Sequence, residues 1–237
     1  MTAIFRNLIL TLLLVTAAFS VRATHGMGGE ITWECQGNGD YVFELFFYRD
    51  CNGFEVSTTF EELRVWGHPT VSTIQVDYVD RVDISPSCTP AGGATQFDCG
   101  TGVGGGNGVG AVEKIIYRSN PITLAGTPPS DGWHFTYESF SRSGNLTNIS
   151  TPTNFGITIS ATMYEVPGST GGCVDNSPKF LQEPYVVSCA GEPYSYNPHA
   201  VDQDLDSLTF DWGVPLDYFP SGSFNPPTSP APLPFEP

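Results

Sequence analysis

Basic residues are scarce in this chain. Lysine and arginine total 9 against 25 acids in 237 residues, a formal net charge of −16. A surface of that sign repels phosphate backbones, so nucleic acid is excluded as a partner. Long apolar runs are missing after residue 23, and a spanning helix needs about 20 apolar residues. Helical amphipathic periodicity is missing throughout. So are C-x-x-C, H-E-x-x-H and G-x-S-x-G, which removes the common zinc, zinc-protease and serine-hydrolase signatures. His25, His68, His134 and His199 stand in no metal-ligand spacing. Ser195, His199 and Asp202 are near one another in sequence, but proximity along a chain is not triad geometry. The expectation is a protein that is not an enzyme.

What is present begins with an export signal. Arg6 supplies a positive start, Leu8 to Val15 is apolar apart from Thr11, and Val21-Arg22-Ala23 fits a small-x-small cleavage site. Residues 1–23 read as a signal peptide and Thr24 as the first mature residue. No membrane-spanning segment is expected after cleavage. Roughly 210 residues remain, room for one large or two modest domains. All 6 cysteines lie beyond the signal: Cys35, Cys51, Cys88, Cys99, Cys173 and Cys189. An even count behind a signal reads as disulfides in an oxidising compartment. Short loops favour neighbours, so the expected pairs are Cys35–Cys51, Cys88–Cys99 and Cys173–Cys189.

Strand signals recur. Ile31 to Glu34 leads into Gly37-Asn38-Gly39-Asp40, a hairpin turn, and then Tyr41 to Tyr48, apolar on both faces except for Glu44. Ile74, Val76, Tyr78, Val82 and Ile84 share a parity, with a bulge expected near Val79. Val112–Tyr117 and Trp133–Tyr137 are shorter candidates. Phe155, Ile157, Ile159, Ala161 and Met163 alternate with small or polar residues, the cleanest period of two in the chain. The expected class is all-β, an antiparallel β-sandwich over 24–166. A flexible linker follows at 167–172, then the start of a second immunoglobulin- or cadherin-like β module at 173–214. A proline-rich tail at 215–237 reads as the edge of a truncated chain.

The chemistry-bearing stretch is the second module. Asp202, Asp204 and Asp206 alternate ahead of Leu208, Phe210 and Trp212, which share the parity of a buried strand face. Asp175 and Asn176 stand upstream. Carboxylates at that spacing repel one another unless a cation screens them, and calcium takes six to eight oxygens. These five residues are the candidate calcium ligands, set against a plain solvated turn. The array is not an EF-hand, because Ser207 and Gly213 stand where that loop requires Gly and Glu.

Other motifs are weaker. Gly100 to Gly105 matches G-x-G-x-x-G, but Cys99 precedes it instead of a buried strand and no helix follows, so the glycine-rich run from Gly100 to Gly110 reads as a surface loop. Asn145-Leu146-Thr147 and Asn148-Ile149-Ser150 are sequons, relevant only in a eukaryotic secretory route. Trp33 and Trp212 have core parity. Trp66 and Trp133, near loops, are candidates for a sugar-binding face.

The stretches T-H-G-M-G-G-E-I-T-W-E-C and Y-R-D-C, then W-H-F-T-Y-E-S-F-S-R-S-G-N-L-T-N-I, carry a resemblance. N-S-P-K-F, C-A-G-E-P-Y-S-Y-N and A-V-D-Q-D-L-D-S-L-T-F continue it. Together they resemble the N-terminal region of large Bacteroidetes cell-surface proteins, which often carry gliding-motility-associated or type IX secretion sorting domains and cadherin-like or PKD-like modules. The resemblance implies a secreted or outer-membrane surface protein acting as an adhesin or structural module, with surface glycans or other surface proteins as partners. The alternative is a carbohydrate-binding module of a secreted polysaccharide-degrading system. Two positions depart from the family. Ser139 and Phe140 replace a cysteine pair, and Leu205 stands where an aspartate-glycine-aspartate step has its glycine, putting that tight turn in question.

Overall fold

The computed structural model describes residues 26–37, 39–53, 56–85, 98–100, 106, 110–140, 142–144, 146–168, 172–173, 175–184, 195–219, 222–226 and 228–234. The expected signal peptide, Thr24, Cys88, Cys189, Asn145 and most of the glycine-rich run lie outside them. The chain is all-β. Its strands are β1 (Gly26–Gly37), β2 (Asp40–Asp50), β3 (Phe60–Trp66), β4 (Thr73–Asp83), β5 (Val112–Arg118), β6 (Ile122–Thr123), β7 (Trp133–Ser139) and β8 (Ile157–Met163), with the two-residue β9 (Lys179–Phe180) and β10 (Ala200–Val201).

The first 8 strands form one antiparallel sheet in the order β1-β2-β5-β4-β3-β7-β8, with β6 added beside β2. β3, β4 and β5 meander, and β5 returns to pair with β2, a Greek-key arrangement. The sheet curls until its two end strands, β1 and β8, pack side by side without pairing. A Cβ added to Gly29 of β1 would lie 2.3 Å from Ile159 Cδ1 of β8. The core is therefore enclosed by one curled sheet, and the expectation of a sandwich is met only at the level of the all-β antiparallel class.

The alternation read from sequence accounts for the interior. Tyr41, Phe43, Leu45 and Phe47 of β2 point inward, with Ile31 and Trp33, Leu63 and Val65, Ile115 and Tyr117, Phe135 and Tyr137, and Ile157 and Ile159. Trp33, Phe43 and Phe135 meet at its centre, with ring centroids 4.7–6.1 Å apart. β2 lies between β1 and β5 within the sheet, and residues on both of its faces are buried, Phe43 and Leu45 on one and Val42 and Tyr48 on the other, as its two-faced apolarity implied. The bulge appears where expected. The β4–β5 register shifts between Tyr78 and Asp80, and Val79 is exposed. Beyond it the faces swap, so Val82 turns outward and Arg81 lies beside inward Ile115. Arg81 and Arg49 both bond the buried carboxylate of Glu113, Arg81 at 3.2 Å. Glu61 shares this interior, and burial pushes its carboxyl up to about 7, with Glu62 adding to the shift.

Among the described residues, the later chain lies along the sheet and forms no second core. β9 crosses the outer face of β1 and β2, where Tyr48 Oη donates to Glu30 Oε1 at 2.7 Å and Lys114 pairs with Glu183 at 2.6 Å. Residues 215–233 return to β8: Leu216 O accepts from Thr158 N at 3.2 Å and from the buried Arg142, and Arg64 Nη1 donates to Phe219 O at 2.9 Å. The described part of the proline-rich tail is thus docked on the large sheet. The strand expected at 208–212 is not formed. Phe210 is 59% exposed and Trp212 94% exposed, so the core parity read for Trp212 is corrected. Its pattern has the period of a strand, but among the described residues no strand pairs with it.

Candidate functional site

The connector is fastened where it leaves the sheet. Cys173 is bonded to Cys35 near the end of β1, with Cα atoms 5.5 Å apart. Three residues on, Asn176 Oδ1 accepts from Cys35 N at 2.7 Å, and Ser177 Oγ accepts from Trp33 N at 2.8 Å. Ser177 N donates to Trp33 O at 3.1 Å. Asn176 and Ser177 therefore occupy the free edge of β1 as a strand would. The second disulfide joins Cys51 to Cys99, with Cα atoms 5.3 Å apart. Both bonds overturn the expected pairing of neighbours: Cys35 does not take Cys51, Cys99 does not take Cys88, and Cys173 does not take Cys189. Curling of the sheet brings β1 to the chain that follows β8, and that juxtaposition is invisible to loop length.

This clamp holds the acidic residues. Asn176 donates from its backbone N to Asp204 Oδ2 at 2.7 Å and from Nδ2 to Asp204 Oδ1 at 3.0 Å. Asp202 Oδ1 accepts from the backbone N of Asp204 at 2.8 Å and of Asp206 at 3.2 Å. The loop turns at Leu205, which takes φ 65° and is 90% exposed. The tight turn that glycine would ease is thus made with leucine, at a cost in backbone strain of about 1 kcal/mol or more. Asp175 completes the group. Burial, then the charges of Asp204, Asp202 and Asp206, push its carboxyl up to about 6. All five candidate ligands, Asp175, Asn176, Asp202, Asp204 and Asp206, share one neighbourhood although up to 31 positions separate them in the sequence.

The donor set is all oxygen and strongly anionic, the kind a hard cation takes. Its convergence is loose. Among the described residues, three His, Cys, Asp or Glu donor atoms come within 4.8 Å of one another at Cys51, Cys99 and Glu113, where the sulfurs are already joined. The aspartates spread more widely. A cation would have to draw the 202–206 loop inward.

The aromatic candidates fare differently. Trp133 is 1% exposed, with His68 packed against it at 4.5 Å. Trp66 is sandwiched by Arg64 at 4.2 Å and stacked by Phe219 at 5.7 Å. Trp133 is buried and is withdrawn as a sugar platform, whereas Trp66 is half-buried with Arg64 and Phe219 against its ring. Trp33 is buried, as its parity implied. His68 Nδ1 accepts from the backbone of Thr70 and Val71, and burial lowers its pKa. His134 Nδ1 lies 2.9 Å from Thr162 Oγ1. Sequence reasoning missed Ser177, whose bonds to Trp33 seat the connector; the N-S-P step was its signal. It also missed Glu61, Arg49, Arg81 and Glu113, charged residues on the strand face that looks into the core.

Compared with protein-family models, curated proteins and solved structures, the chain matches none of them. Among the described residues, no helix is long and apolar enough to cross a membrane.

Proposed function

We propose that the chain is a non-enzymatic secreted or cell-surface protein, an adhesion or structural module of a large bacterial surface protein of the Bacteroidetes type, linked to gliding motility and type IX secretion. The observation that carries this reading is the Cys35–Cys173 clamp. A disulfide spanning 138 residues fastens the wrapping segment to the first strand, and such bonds persist in oxidising surroundings outside the cytoplasm. A module clamped across its own length transmits force without peeling, which suits a tether or adhesin. Its partners in this reading are surface glycans or other surface proteins.

Calcium belongs to the same reading, as a stiffener of the acidic loop through Asp175, Asn176, Asp202, Asp204 and Asp206. Like charges crowd Asp175, and a divalent ion relieves that crowding. Titrating calcium to millimolar levels should raise the melting temperature, and Asp204→Ala should abolish the rise. No shift, or one unchanged in the variant, removes the metal. Location is tested on cells that make the protein. Antibody should label intact cells or the medium, and protease added outside should destroy the signal. A chain protected until lysis would overturn the proposal.

A further inference from the structure

The described residues of 215–233 form a clip with some pairing of its own. Asp217 N donates to Ala231 O at 2.9 Å and Leu233 N to Pro215 O at 3.0 Å, so its two passes hold each other. The clip is closely seated on the sheet. Leu216 bridges Thr158 of β8, and Asp217 Oδ1 accepts from Gly156 N at 2.7 Å. Arg142 and Arg64 donate to the carbonyls of Leu216 and Phe219. Phe219 stacks on Trp66, Phe224 packs against His134, and Phe219 and Leu233 are buried. A Cβ added to Gly156 would collide with Tyr218, so the fit leaves no slack there.

The chain leading to the clip is held differently. Residues 207–214 belong to no strand, and all but Leu208 are exposed. Among the described residues, hydrogen bonding in this stretch is local, from Trp212 N to Asp211 Oδ1 at 2.7 Å. Leu208, Thr209 and Phe210 border a cavity of about 380 Å³ beside β8. Eight extended residues reach about 26 Å, enough to carry the clip to a neighbouring sheet. The stretch also keeps the alternation of a strand, with Phe210, Trp212 and Val214 left open to solvent. Two copies of it, paired antiparallel about Phe210, set Leu208 opposite Trp212 and Thr209 opposite Asp211. Asp206 falls opposite Val214, so no carboxylate faces another.

We propose that two copies of this chain exchange clips. Each 215–233 docks on the other copy's β8 and on its face of Arg64, Trp66 and His134. Residues 207–214 are the hinge, and the two hinges pair about Phe210. A second copy fits because the occupant is the same clip that the chain seats on itself. Docked clips make the same contacts in monomer and dimer, so the hinge sets the equilibrium. Backbone pairing and cover for Phe210 and Trp212 favour the dimer. The net charge of −16 on each copy opposes it, and salt screens that repulsion. In the monomer Trp212 stays in solvent. The proposal rests on the fold and not on where the protein resides.

The test uses the full chain, followed by size exclusion with light scattering from micromolar to millimolar protein. A dimer that grows with concentration and with salt is expected. Thr209→Asp sets a carboxylate opposite Asp211 at two places. It should weaken the dimer about threefold or more and leave the melting temperature of the monomer unmoved. A disulfide separates exchange from mere contact. Thr158→Cys with Leu216→Cys joins the bridged pair of sheet and clip, a spacing within disulfide reach. Oxidised as a dimer, this variant should give a covalent dimer on a non-reducing gel. Oxidised as a monomer, it should no longer dimerise. Deleting Thr209 to Asp211 removes about 10 Å of hinge and should make the chain dimeric at every concentration. A wild-type chain monomeric throughout, a locked monomer that still dimerises, a dimer left without a bond between copies, or a shortened chain that stays monomeric would each overturn the proposal.

Discussion

The curled sheet and the segment that wraps it are held by different means. From Gly26 to Met163 the backbone is satisfied mainly strand against strand, and the side chains beneath are aromatic and aliphatic. Among the described residues from Cys173 to Leu233 the pairing within the segment is thin: two residues of β9 on two of β10, and bridges such as Leu216 to Pro232. Its order comes from the sheet, through Cys35, Trp33, Thr158, Arg64 and Arg142. The first region would keep its shape without the second. The second has little of its own to fold around.

A core truncation tests that asymmetry most severely. Phe135 is fully buried between Trp33 and Phe43. Phe135→Ala should cost about 3–5 kcal/mol by urea denaturation, and sheet and wrap should melt together, since the wrap has lost its template. Removing the clamp should separate them. Cys35→Ser with Cys173→Ser should cost about 2–4 kcal/mol. Amide exchange should quicken over 175–183 while β2, β5 and β7 stay protected. Uniform loss of protection would show that the wrap is integral to the core.

The clamp marks where sequence reading reaches its limit. Strands with clean alternation, such as Ile157 to Met163, and the bulge at Val79 were legible because side-chain parity is a local property. The bonds from Asn176 to Asp204 bring Asp175 and Asn176 to the 202–206 loop. The sequence offered that grouping only on the condition that the connector folds back, since no local spacing reports a contact 28 positions away. The disulfide partners were not legible either. Cys35 and Cys173 meet only because the sheet curls, and neither loop length nor spacing reports curl. Nor did parity show that Arg81 turns inward, since a bulge reverses every residue after it.

Two carboxyls give the comparison a pH axis. Glu61 lies within the sheet and Asp175 under the wrap, and both are held above their ordinary values of 4.5 and 3.8 by burial, reaching about 7 and about 6. Such a group binds its proton more readily in the folded protein. The stability it contributes is complete below its ordinary value and is lost as pH rises through the folded one. Wild-type stability should therefore fall from about pH 4 to about pH 7. Glu61→Gln should flatten the upper part of that fall in global melting. Asp175→Asn should flatten the part between about 3.8 and about 6, read best as protease resistance of 175–183. A wild-type profile that rises with pH across this window would contradict both placements.

The smallest expected effect is the most discriminating for Trp212. If 208–212 were a core strand, Trp212→Ala would cost several kcal/mol, as burial of a large aromatic implies. With the ring 94% exposed, the substitution should change stability by less than about 0.5 kcal/mol. Tryptophan fluorescence supplies a second readout. Trp33 and Trp133 are buried and Trp66 is covered by Arg64 and Phe219, so Trp212 should provide most of the iodide-quenchable emission. That component should vanish in Trp212→Ala with the melting curve unmoved. A destabilised variant, or emission that iodide cannot reach, would place the ring against a partner surface and make 208–212 part of a folded face.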